Sequence, residues 1–364
     1  MPPVKFYRWS KRLILFLAIL MSVVLVSIYI RANIAARKTS TMQEFHTLNQ
    51  ASSEDWQHLR LLTANVGNLS LSCKGAYNNK LCQLTVEKAI AEHIKTIRPD
   101  IIFFQELLHP SQCEDLNEAD RNKVCYKKNE ADITSYQPQR LLGKNYSILC
   151  AARMREEIGH PLGMECIGVH VDFGSIEGCD RGQICFTSQG LDSPASDCNP
   201  EFIVMSAIVK VGDLRIGLIN GHPHSRNKSC QDNSIKQIFE GVNGIPLVDT
   251  DKIIIAGDFN FDPFRGNNVP KSWQLNVGMF GSGLPFYYHS GLVEHEPPYP
   301  TAYFLFQKKT VDHVISNFAW GVCTTLGEAP GTRRIDNGKG MDHRAVMCDL
   351  LIPASYPCQS QEGK

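Results

Sequence analysis

The stretch IIIAGDFNFDP, from Ile253 to Pro263, joins an apolar run to three polar side chains at alternate positions. Its isoleucines lead through Gly257 into Asp258, Asn260 and Asp262. An apolar run bounded by glycine and proline is typical of a buried strand that reaches the surface at its carboxyl end. Two interpretations are open: a turn stabilised by Asx side chains, or a site in which Asp258 and Asn260, on one face of the strand, carry out chemistry.

The length and composition of the chain favour one large domain after an N-terminal segment. The 364 residues are 43% hydrophobic, which is enough for a large core. Length alone allows one large domain or two ordinary ones. The sequence has no internal repeat, which excludes solenoid and array architectures. No boundary divides residues 58–358, so we predict that they form a single catalytic domain.

The first thirty residues have the pattern of a membrane anchor. Residues 1–12 contain four basic side chains and no acidic one, and an uninterrupted apolar run follows at 13–30. Eighteen helical residues span roughly 27 Å, which is close to the thickness of the bilayer core. We therefore predict a transmembrane signal anchor at 13–30 with a cytoplasmic N-terminus. A cleaved signal peptide is the alternative. The polar residues 31–57 are predicted to form a stalk.

The cysteines indicate an oxidising compartment. All 13 lie after the apolar run, between Cys73 and Cys358. Exported proteins use such cysteines in disulfide bonds. The sequence has no Cys-x2-Cys pair, which argues against a structural zinc site. Together with the anchor, this pattern predicts a membrane protein whose catalytic domain is extracytoplasmic, that is, periplasmic, extracellular or lumenal.

The charge balance excludes a broad basic surface on the exported part. The formal net charge is zero, but the four basic residues before residue 31 leave 33 basic and 37 acidic residues after it. A protein that holds nucleic acid on an extended basic face would carry a clear positive excess. This balance still permits an enzyme that contacts a few phosphates locally.

Short apolar strands alternate with a few amphipathic helices from residue 59 onward. LRLLTANV (59–66) and PDIIFFQEL (99–107) read as strands, and residues 85–97 have helical periodicity between them. Gly212 and Asp213 separate two further strands in a hairpin pattern. Strands outnumber helices and include both hairpins and crossovers. This mixture predicts an α/β fold in the form of a layered sandwich rather than a regularly alternating parallel sheet.

Polar and ionisable side chains recur where these strands end. Each one alone is more often a turn, cap or solvated residue, but together they form a set of acids, amides and histidines. Such a set suits a hard divalent cation combined with proton transfer. Its members are Asn65, Glu106, Asn220, His222, Asp258, Asn260, Asp312, His313, Asp342 and His343.

The order and spacing of these motifs resemble the endonuclease/exonuclease/phosphatase superfamily. The motifs are TANVGN, FFQE, NGH, GDFNFDP, VDHVIS and MDHRAV, and the resemblance covers about residues 59–352. It implies a four-layered α/β sandwich of two packed, mainly antiparallel sheets with helices outside. It also implies metal-dependent hydrolysis of phosphodiester bonds at the sheet edge where the loops converge.

The resemblance assigns metal binding to three oxygen donors. Glu106 corresponds to the main Mg2+ carboxylate, Asn65 lies beside it, and Asp342 contributes to the same cluster. Mn2+ or Ca2+ could replace Mg2+ at such a site. His222 and His224 could form a transition-metal pair, but oxygen ligands dominate the rest of the set.

The catalytic roles also follow from the resemblance. Asp258 corresponds to the residue that orients or deprotonates the attacking water, and Asn260 would hold the nucleophile and a phosphoryl oxygen. His343 would contact the scissile phosphate while Asp312 orients and charges its imidazole. His222 corresponds to the general acid for the leaving oxygen. Its partner by the same analogy is Glu165, for which Glu156 and Glu157 are competing candidates.

Several substrates are compatible with this set. A membrane-anchored extracytoplasmic nuclease is the first hypothesis. A phospholipid or sphingomyelin phosphodiesterase is the alternative, because an anchor would hold the site near lipid headgroups. A phosphatase is less well supported, since only Arg265 and Lys271 lie near the Gly-Asp-Phe-Asn motif. A non-enzymatic binding module would require loss of a ligand from a set that is complete in this sequence.

Overall fold

The predicted apolar strands pair into two seven-stranded sheets in the computed structural model of the chain. The structure describes residues 17–27, 56–67, 84–109, 136–155, 160–187, 204–225, 227–264, 269–279, 281–289, 299–304, 307–338 and 341–354. The predicted α/β class is therefore confirmed for these residues. Both sheets are mixed, with antiparallel neighbours in the majority and two parallel pairs in each.

The first sheet has the order β15-β16-β1-β2-β4-β3-β6. Its strands are β1 (Trp56–Asn65), β2 (Ile101–Leu107), β3 (Tyr146–Arg155), β4 (His160–His170), β6 (Ile184–Thr187), β15 (Trp320–Thr325) and β16 (Val346–Pro353). Strand β1 begins inside the segment predicted as a stalk, because Trp56 and Gln57 pair with the end of β16. The rest of that stalk lies outside the described residues.

The second sheet has the order β10-β11-β14-β9-β8-β7-β5. Its strands are β5 (Ser175–Ile176), β7 (Val204–Val211), β8 (Leu214–Gly221), β9 (Ile253–Asp258), β10 (Val277–Gly278), β11 (Phe286–Tyr288) and β14 (Asp312–Ser316). The predicted hairpin at Gly212 and Asp213 joins β7 to β8. A separate two-stranded hairpin consists of β12 (Ala302–Phe304) and β13 (Gln307–Lys309).

Four α-helices complete the described elements of the domain. They are α1 (Leu84–Ile97), α2 (Gln137–Leu142), α3 (Lys228–Glu240) and α4 (Lys271–Asn276), and a short 3-10 turn at Gly143–Asn145 follows α2. The helix predicted at 85–97 corresponds to α1. Asn227 caps α3 by accepting a hydrogen bond from the Cys230 amide at 3.2 Å.

The two sheets pack face to face, and the helices cover their outer faces. Alternate residues of β1 and β2, such as Leu61 and Phe103, share one buried cluster with Leu218 and Ala256 of the second sheet. A second cluster packs the other face of the first sheet against α1 and α2. A third packs the second sheet against α3 and α4. Because side chains alternate along each strand, both faces of each sheet must be apolar, which explains the continuous apolar runs in the sequence.

Disulfide bonds join neighbouring elements of the fold. Cys150–Cys166 links β3 to β4, Cys323–Cys348 links β15 to β16, and Cys179–Cys185 closes the turn before β6. Cys230 is also disulfide-bonded. Every cysteine within the described residues is therefore in a disulfide, in agreement with the prediction for these positions.

The predicted membrane span is only partly covered by the structure. Residues 17–27 are helical and their side chains are exposed. Within the part of the chain that is described, no helix is both long and apolar enough to cross a membrane. The predicted span at 13–30 extends beyond this helix at both ends and stays a prediction.

Candidate active site

Two pairs of parallel strands end at the same edge of the sandwich. Strand β1 runs parallel to β2 in the first sheet, with Asn65 opposite Gln105. Strand β8 runs parallel to β9 in the second, with Gly221 opposite Gly257. Parallel strands bring their carboxyl ends to one edge. Four residues from separate stretches of sequence therefore lie together there: Asn65, Glu106, His222 and Asp258.

Two antiparallel neighbouring strands bring two more acids to this edge. One acid is the first residue of its strand, and the other lies within its strand. Asp312 begins β14 directly opposite Asp258. Glu165 lies in β4, whose Met164 pairs with Leu107 at the end of β2. Both carboxylates are almost completely buried. The edge therefore combines residues from six strands of the two sheets, β1, β2 and β4 in the first and β8, β9 and β14 in the second.

Asp258 lies at the centre of the site and uses both carboxylate oxygens. Its Oδ1 accepts a hydrogen bond from the Asn260 amide at 2.9 Å, and its Oδ2 accepts one from Asn65 Nδ2 at 3.0 Å. The same Oδ2 is 3.7 Å from His222 Nε2 and 3.6 Å from His343 Nε2. One buried oxygen therefore faces two imidazoles.

Each imidazole is oriented from behind by its own carboxylate. His222 Nδ1 is 3.0 Å from Glu165 Oε1, and His343 Nδ1 is 2.9 Å from Asp312 Oδ2. A carboxylate on one ring nitrogen fixes the tautomer and directs the other nitrogen into the site. The structure thus brings together Glu165 with His222, and Asp312 with His343, as the family resemblance implied. Glu156 and Glu157 lie outside the described residues.

The pKa values of the central pair follow from burial and mutual attraction. Burial raises the pKa of Asp258, and the nearby charge of Asp312 raises it further, while His343 and His222 oppose this shift. Burial alone would lower the pKa of His343, but the charges of Asp312 and Asp258 outweigh it and raise that pKa well above the usual value. The two carboxylates therefore favour the protonated form of His343.

Glu106 lies in an irregular part of strand β2. The register between β2 and β4 shifts between Phe104 and Leu107, and Glu106 has a φ of 60°. A non-glycine residue in this left-handed region is strained, and bulges of this kind re-aim a side chain. The Glu106 amide donates to Glu165 Oε2 at 3.2 Å, and its own Oε1 lies 3.7 Å from His222 Nε2. The bulge thus turns Glu106 toward the site.

Asp342 is the second acid expected at the metal site. Burial raises its pKa to about 6, and the charges of Glu106 and Asp258 add to this shift while His343 opposes it. Asp342 and Glu106 are therefore close enough to repel one another. A divalent cation would relieve this repulsion, and oxygen donors of this type are those that Mg2+ prefers.

A second group could also hold a metal by its geometry. One ligand atom from each of Asp258, Asp312 and His343 lies within 4.8 Å of the others. In this group, however, Asp312 is hydrogen-bonded to His343, and the raised pKa of His343 favours a proton on its ring. We therefore interpret this group as a proton-holding pair beside Asp258.

The predicted reason for the position of Asn260 is wrong. Strand β9 ends at Asp258, and Asn260 has a φ of 57°, so strand alternation does not extend to it. Asparagine tolerates this left-handed conformation. Its backbone amide turns back to Asp258, and its Nδ2 donates to the Pro223 carbonyl at 3.1 Å. Asn260 thus reaches the site through a turn that ties it to the segment after His222.

Three other polar residues have structural contacts. Asp262 accepts hydrogen bonds from the amides of Phe264 and Thr310, both at 2.9 Å, as expected for the turn that ends the strand. His313 is buried between Tyr288 and the Phe261 carbonyl, on the opposite face from Asp312. His224 Nδ1 accepts from the Asn227 amide at 3.0 Å, where helix α3 begins.

One buried amide pair beneath the site was not assigned a role from the sequence. Gln105 Nε2 donates to Asn220 Oδ1 at 2.8 Å, and Asn220 Nδ2 donates to the carbonyls of Phe104 and Cys166. These bonds join the two sheets directly below the histidines and carboxylates. Both residues belong to motifs quoted above, FFQE and NGH. Their place at strand ends could therefore be predicted from the sequence, but the hydrogen bond between them could not.

The sequence comparison identifies the family of the chain. Residues 62–330 match the model of the Endonuclease/Exonuclease/phosphatase family. The chain belongs to this family. The matched region contains Glu106, Glu165, His222, Asp258 and Asp312, whereas Asp342 and His343 lie after it. No curated protein matches the sequence of this chain at a significant level.

Solved structures share the fold at low sequence identity. An endonuclease/exonuclease/phosphatase family protein from Bacteroides thetaiotaomicron is 16% identical with a TM-score of 0.52, over 84% of this chain and 98% of that chain. The human Nocturnin catalytic domain with bound sulfate is 15% identical with a TM-score of 0.49, over 83% of this chain and 97% of that chain. D. rerio TDP2 complexed with a single-stranded DNA product is 13% identical with a TM-score of 0.48, over 80% of this chain and 98% of that chain. The first of these likenesses supports the same fold.

Proposed function

We propose that this protein is a Mg2+-dependent phosphodiesterase whose substrate is nucleic acid. The observation that carries the proposal is the arrangement around Asp258. Two histidines, each paired with its own buried carboxylate, face the same Asp258 oxygen at 3.6 and 3.7 Å. A structural core rarely buries so many ionisable groups, and their concentration at one edge is typical of an active site.

The metal is expected at the oxygen donors Glu106, Asp342 and Asn65. The mutual repulsion of Glu106 and Asp342 supports this choice. The Asn65 amide is held in place, since its Nδ2 donates to Asp258 and its Oδ1 accepts from the Gly67 amide at 2.9 Å. When bound there, Mg2+ would neutralise charge on the phosphoryl oxygens. Mn2+ or Ca2+ are alternative occupants.

The remaining groups divide the proton transfers between them. Asp258 accepts the proton of the attacking water as the new P–O bond forms, and its raised pKa makes it a better acceptor. The His343 imidazolium stabilises the negative charge that develops on the phosphoryl oxygens. His222, with Glu165 behind it, donates its Nε2 proton to the leaving oxygen as the second P–O bond breaks. Asn260 orients the nucleophile.

The choice of a diester rests on the chemistry of the site. A paired general acid at His222 suits a diester, which has a poor leaving oxygen. Among diesters, nucleic acid is our first candidate. A phospholipid or sphingomyelin phosphodiesterase is the second candidate, because the predicted anchor at 13–30 would hold the site near headgroups. No basic cluster near the Gly-Asp-Phe-Asn motif supports a phosphatase.

We further propose that the catalytic domain is extracytoplasmic and tethered to a membrane. The apolar run at 13–30 and the basic residues before it support the tether. The disulfide bonds at every described cysteine support an oxidising compartment.

The test is a substrate panel with the purified protein. Single-stranded DNA, RNA, sphingomyelin vesicles and bis-p-nitrophenyl phosphate are each assayed with Mg2+ and with EDTA. We expect hydrolysis of the nucleic acids and of bis-p-nitrophenyl phosphate with Mg2+ alone. Cleavage of sphingomyelin without cleavage of DNA or RNA would contradict the substrate, and activity in EDTA would contradict the metal. Glu106→Gln should weaken the response to Mg2+ more than Asp312→Asn does.

A further inference from the structure

The hairpin β12–β13 lies directly beside the segment that carries Asp342 and His343. Ala302 forms an isolated antiparallel bridge with His343. The Tyr303 amide donates to the Asp342 carbonyl at 3.2 Å, and the Arg344 amide donates to the Thr301 carbonyl at 2.6 Å. The hairpin and residues 342–344 therefore form a small three-stranded surface next to the site.

Tyr303 on this surface is in contact with two cations. Lys308 is its partner in the hairpin register, and the Lys308 Nζ lies 5.5 Å from the centre of the tyrosine ring. The Arg344 guanidinium lies 4.4 Å from the same centre. An aromatic face attracts cations at these distances. The ring thus holds both positive groups beside the segment that contains Asp342 and His343.

The two cations differ in whether a carboxylate neutralises their charge. Arg344 Nε is 3.0 Å from Glu328 Oε1, and its side chain is largely buried. Lys308 is exposed, and within the described part of the chain it contacts the tyrosine ring rather than a carboxylate. Lys308 therefore presents an ammonium group to solvent at the margin of the active site.

We propose that Lys308, held by Tyr303, binds a backbone phosphate of a nucleic-acid strand next to the bond that is cut. This inference rests on the proposed function and adds a subsite to it. A lysine ammonium contributes to such binding as a point charge and through counterion release. The subsite would favour a polymer over a small diester, since a small diester has no second phosphate to offer.

The spacing agrees with this assignment. Adjacent strands lie about 4.8 Å apart, so β13 is roughly 10 Å from residues 342–344. A stacked strand of nucleic acid advances about 3.4 Å per nucleotide. At that separation, Lys308 can reach a backbone phosphate that neighbours the one at the catalytic groups.

The experiment compares Lys308→Ala with wild type on a single-stranded oligonucleotide and on bis-p-nitrophenyl phosphate. We expect kcat/KM on the oligonucleotide to fall about five- to tenfold at low salt, mainly through KM. The slope of log kcat/KM against log salt should become shallower by about one. The rate on bis-p-nitrophenyl phosphate should remain that of wild type. Lys308→Arg should retain most oligonucleotide activity, and Tyr303→Phe should retain more than Tyr303→Leu.

The matched control is Lys95→Ala. Lys95 is an exposed lysine in the last turn of α1, near the beginning of β2 and therefore at the end of the sandwich opposite the site. The Lys95→Ala variant should leave kcat/KM on both substrates and the salt slope unchanged. An equal loss on both substrates in Lys308→Ala, or no loss on either, would overturn the subsite while leaving the proposed function intact. If Lys308→Ala lost activity on sphingomyelin vesicles but not on the oligonucleotide, that result would also overturn the subsite. Wild-type protein inactive on both substrates would instead contradict the proposed function itself.

Discussion

At the scale of single residues, Asp258 forms a turn and also lies at the centre of the site. Its Oδ1 accepts the Asn260 amide in an Asx turn, while its Oδ2 faces Asn65 and the two histidines. The two interpretations of the opening stretch are therefore compatible for this residue. Asp262 in the same stretch accepts hydrogen bonds from the Phe264 and Thr310 amides, as a residue that ends the strand in a turn does.

Residue-level prediction succeeded where strand alternation applied and failed where the backbone left the strand. The positions of Asn65, Asp258 and Asp312 follow from apolar strands that end at one edge. The left-handed conformations of Glu106 and Asn260 could not be predicted, because they depend on a bulge and a turn that tertiary packing imposes. Their contacts therefore had to be taken from the family resemblance or from the structure.

Two buried histidines outside the site make the stability depend on pH. Burial lowers the pKa of His289 and of His313 to about 4. In the unfolded chain a histidine has a pKa of about 6.5, so the unfolded state binds more protons between pH 6.5 and 4. The contribution of these two histidines to the free energy of unfolding is therefore highest above pH 6.5 and falls as the pH decreases toward 4, by up to about 1.4 kcal/mol per pH unit for each histidine.

The measurement is urea denaturation of His289→Gln and wild type at several pH values. His289 Nε2 is hydrogen-bonded to Ser316 Oγ at 2.7 Å, and glutamine offers a neutral side chain in its place. We expect the variant to lose less stability between pH 6.5 and 4.5 than wild type does. His58→Gln, at an exposed position of β1, is the control and should follow wild type. A variant with the full wild-type loss would contradict the assignment.

At the scale of elements, the loop before His343 is held by a buried charge. Asp336 accepts hydrogen bonds from Arg334 Nε at 2.9 Å, from the Gly338 amide at 3.0 Å and from the Met341 amide at 2.9 Å. Arg334 Nη2 also donates to the Met341 carbonyl at 2.6 Å. Burial opposes the charge of Asp336, but the Met341 amide and Arg334 outweigh it and lower its pKa. Asp336 thus fixes the segment that leads into Asp342.

Asp336→Asn should disturb both the fold and the site. The amide replaces an acceptor with a donor, so at least one of these bonds is lost, at a cost of about 1–3 kcal/mol. We expect a lower free energy of unfolding by denaturation, and a lower kcat at a temperature where the variant remains folded. Asp251→Asn, in an exposed ion pair with Lys252, is the control. A fall in stability with kcat unchanged would mean that Asp336 supports the fold alone.

The elements themselves could be predicted better than the loops. The apolar runs and the helical period of residues 85–97 predicted the central strands and α1, because burial of those residues dictates the pattern. The loop from Arg334 to Met341 contains no such period. The described residues of this loop are held by the Asp336 network, whose members were not recognisable as partners in the sequence.

At the scale of the whole molecule, the two packed sheets account for the assembly of the site. The buried amides Gln105 and Asn220 join the sheets below it. Strands β1 and β2 supply Asn65 and Glu106, and β8 and β9 lead to His222 and Asp258. The order of the strands in each sheet was not predictable from local patterns, since it depends on pairing between distant segments. The family resemblance supplied the sandwich architecture, and the structure supplied the order.

The central claim is that this edge is a metal-dependent phosphodiesterase site organised around Asp258. Its most direct test is hydrolysis of bis-p-nitrophenyl phosphate by wild type and by Asp258→Asn, each with Mg2+ and with EDTA. Wild type should be active with Mg2+ and inactive with EDTA, and the variant should be slower by about 10²- to 10⁴-fold while still folded. Asp258→Asn near the wild-type rate, or wild-type activity that persists in EDTA, would contradict the account.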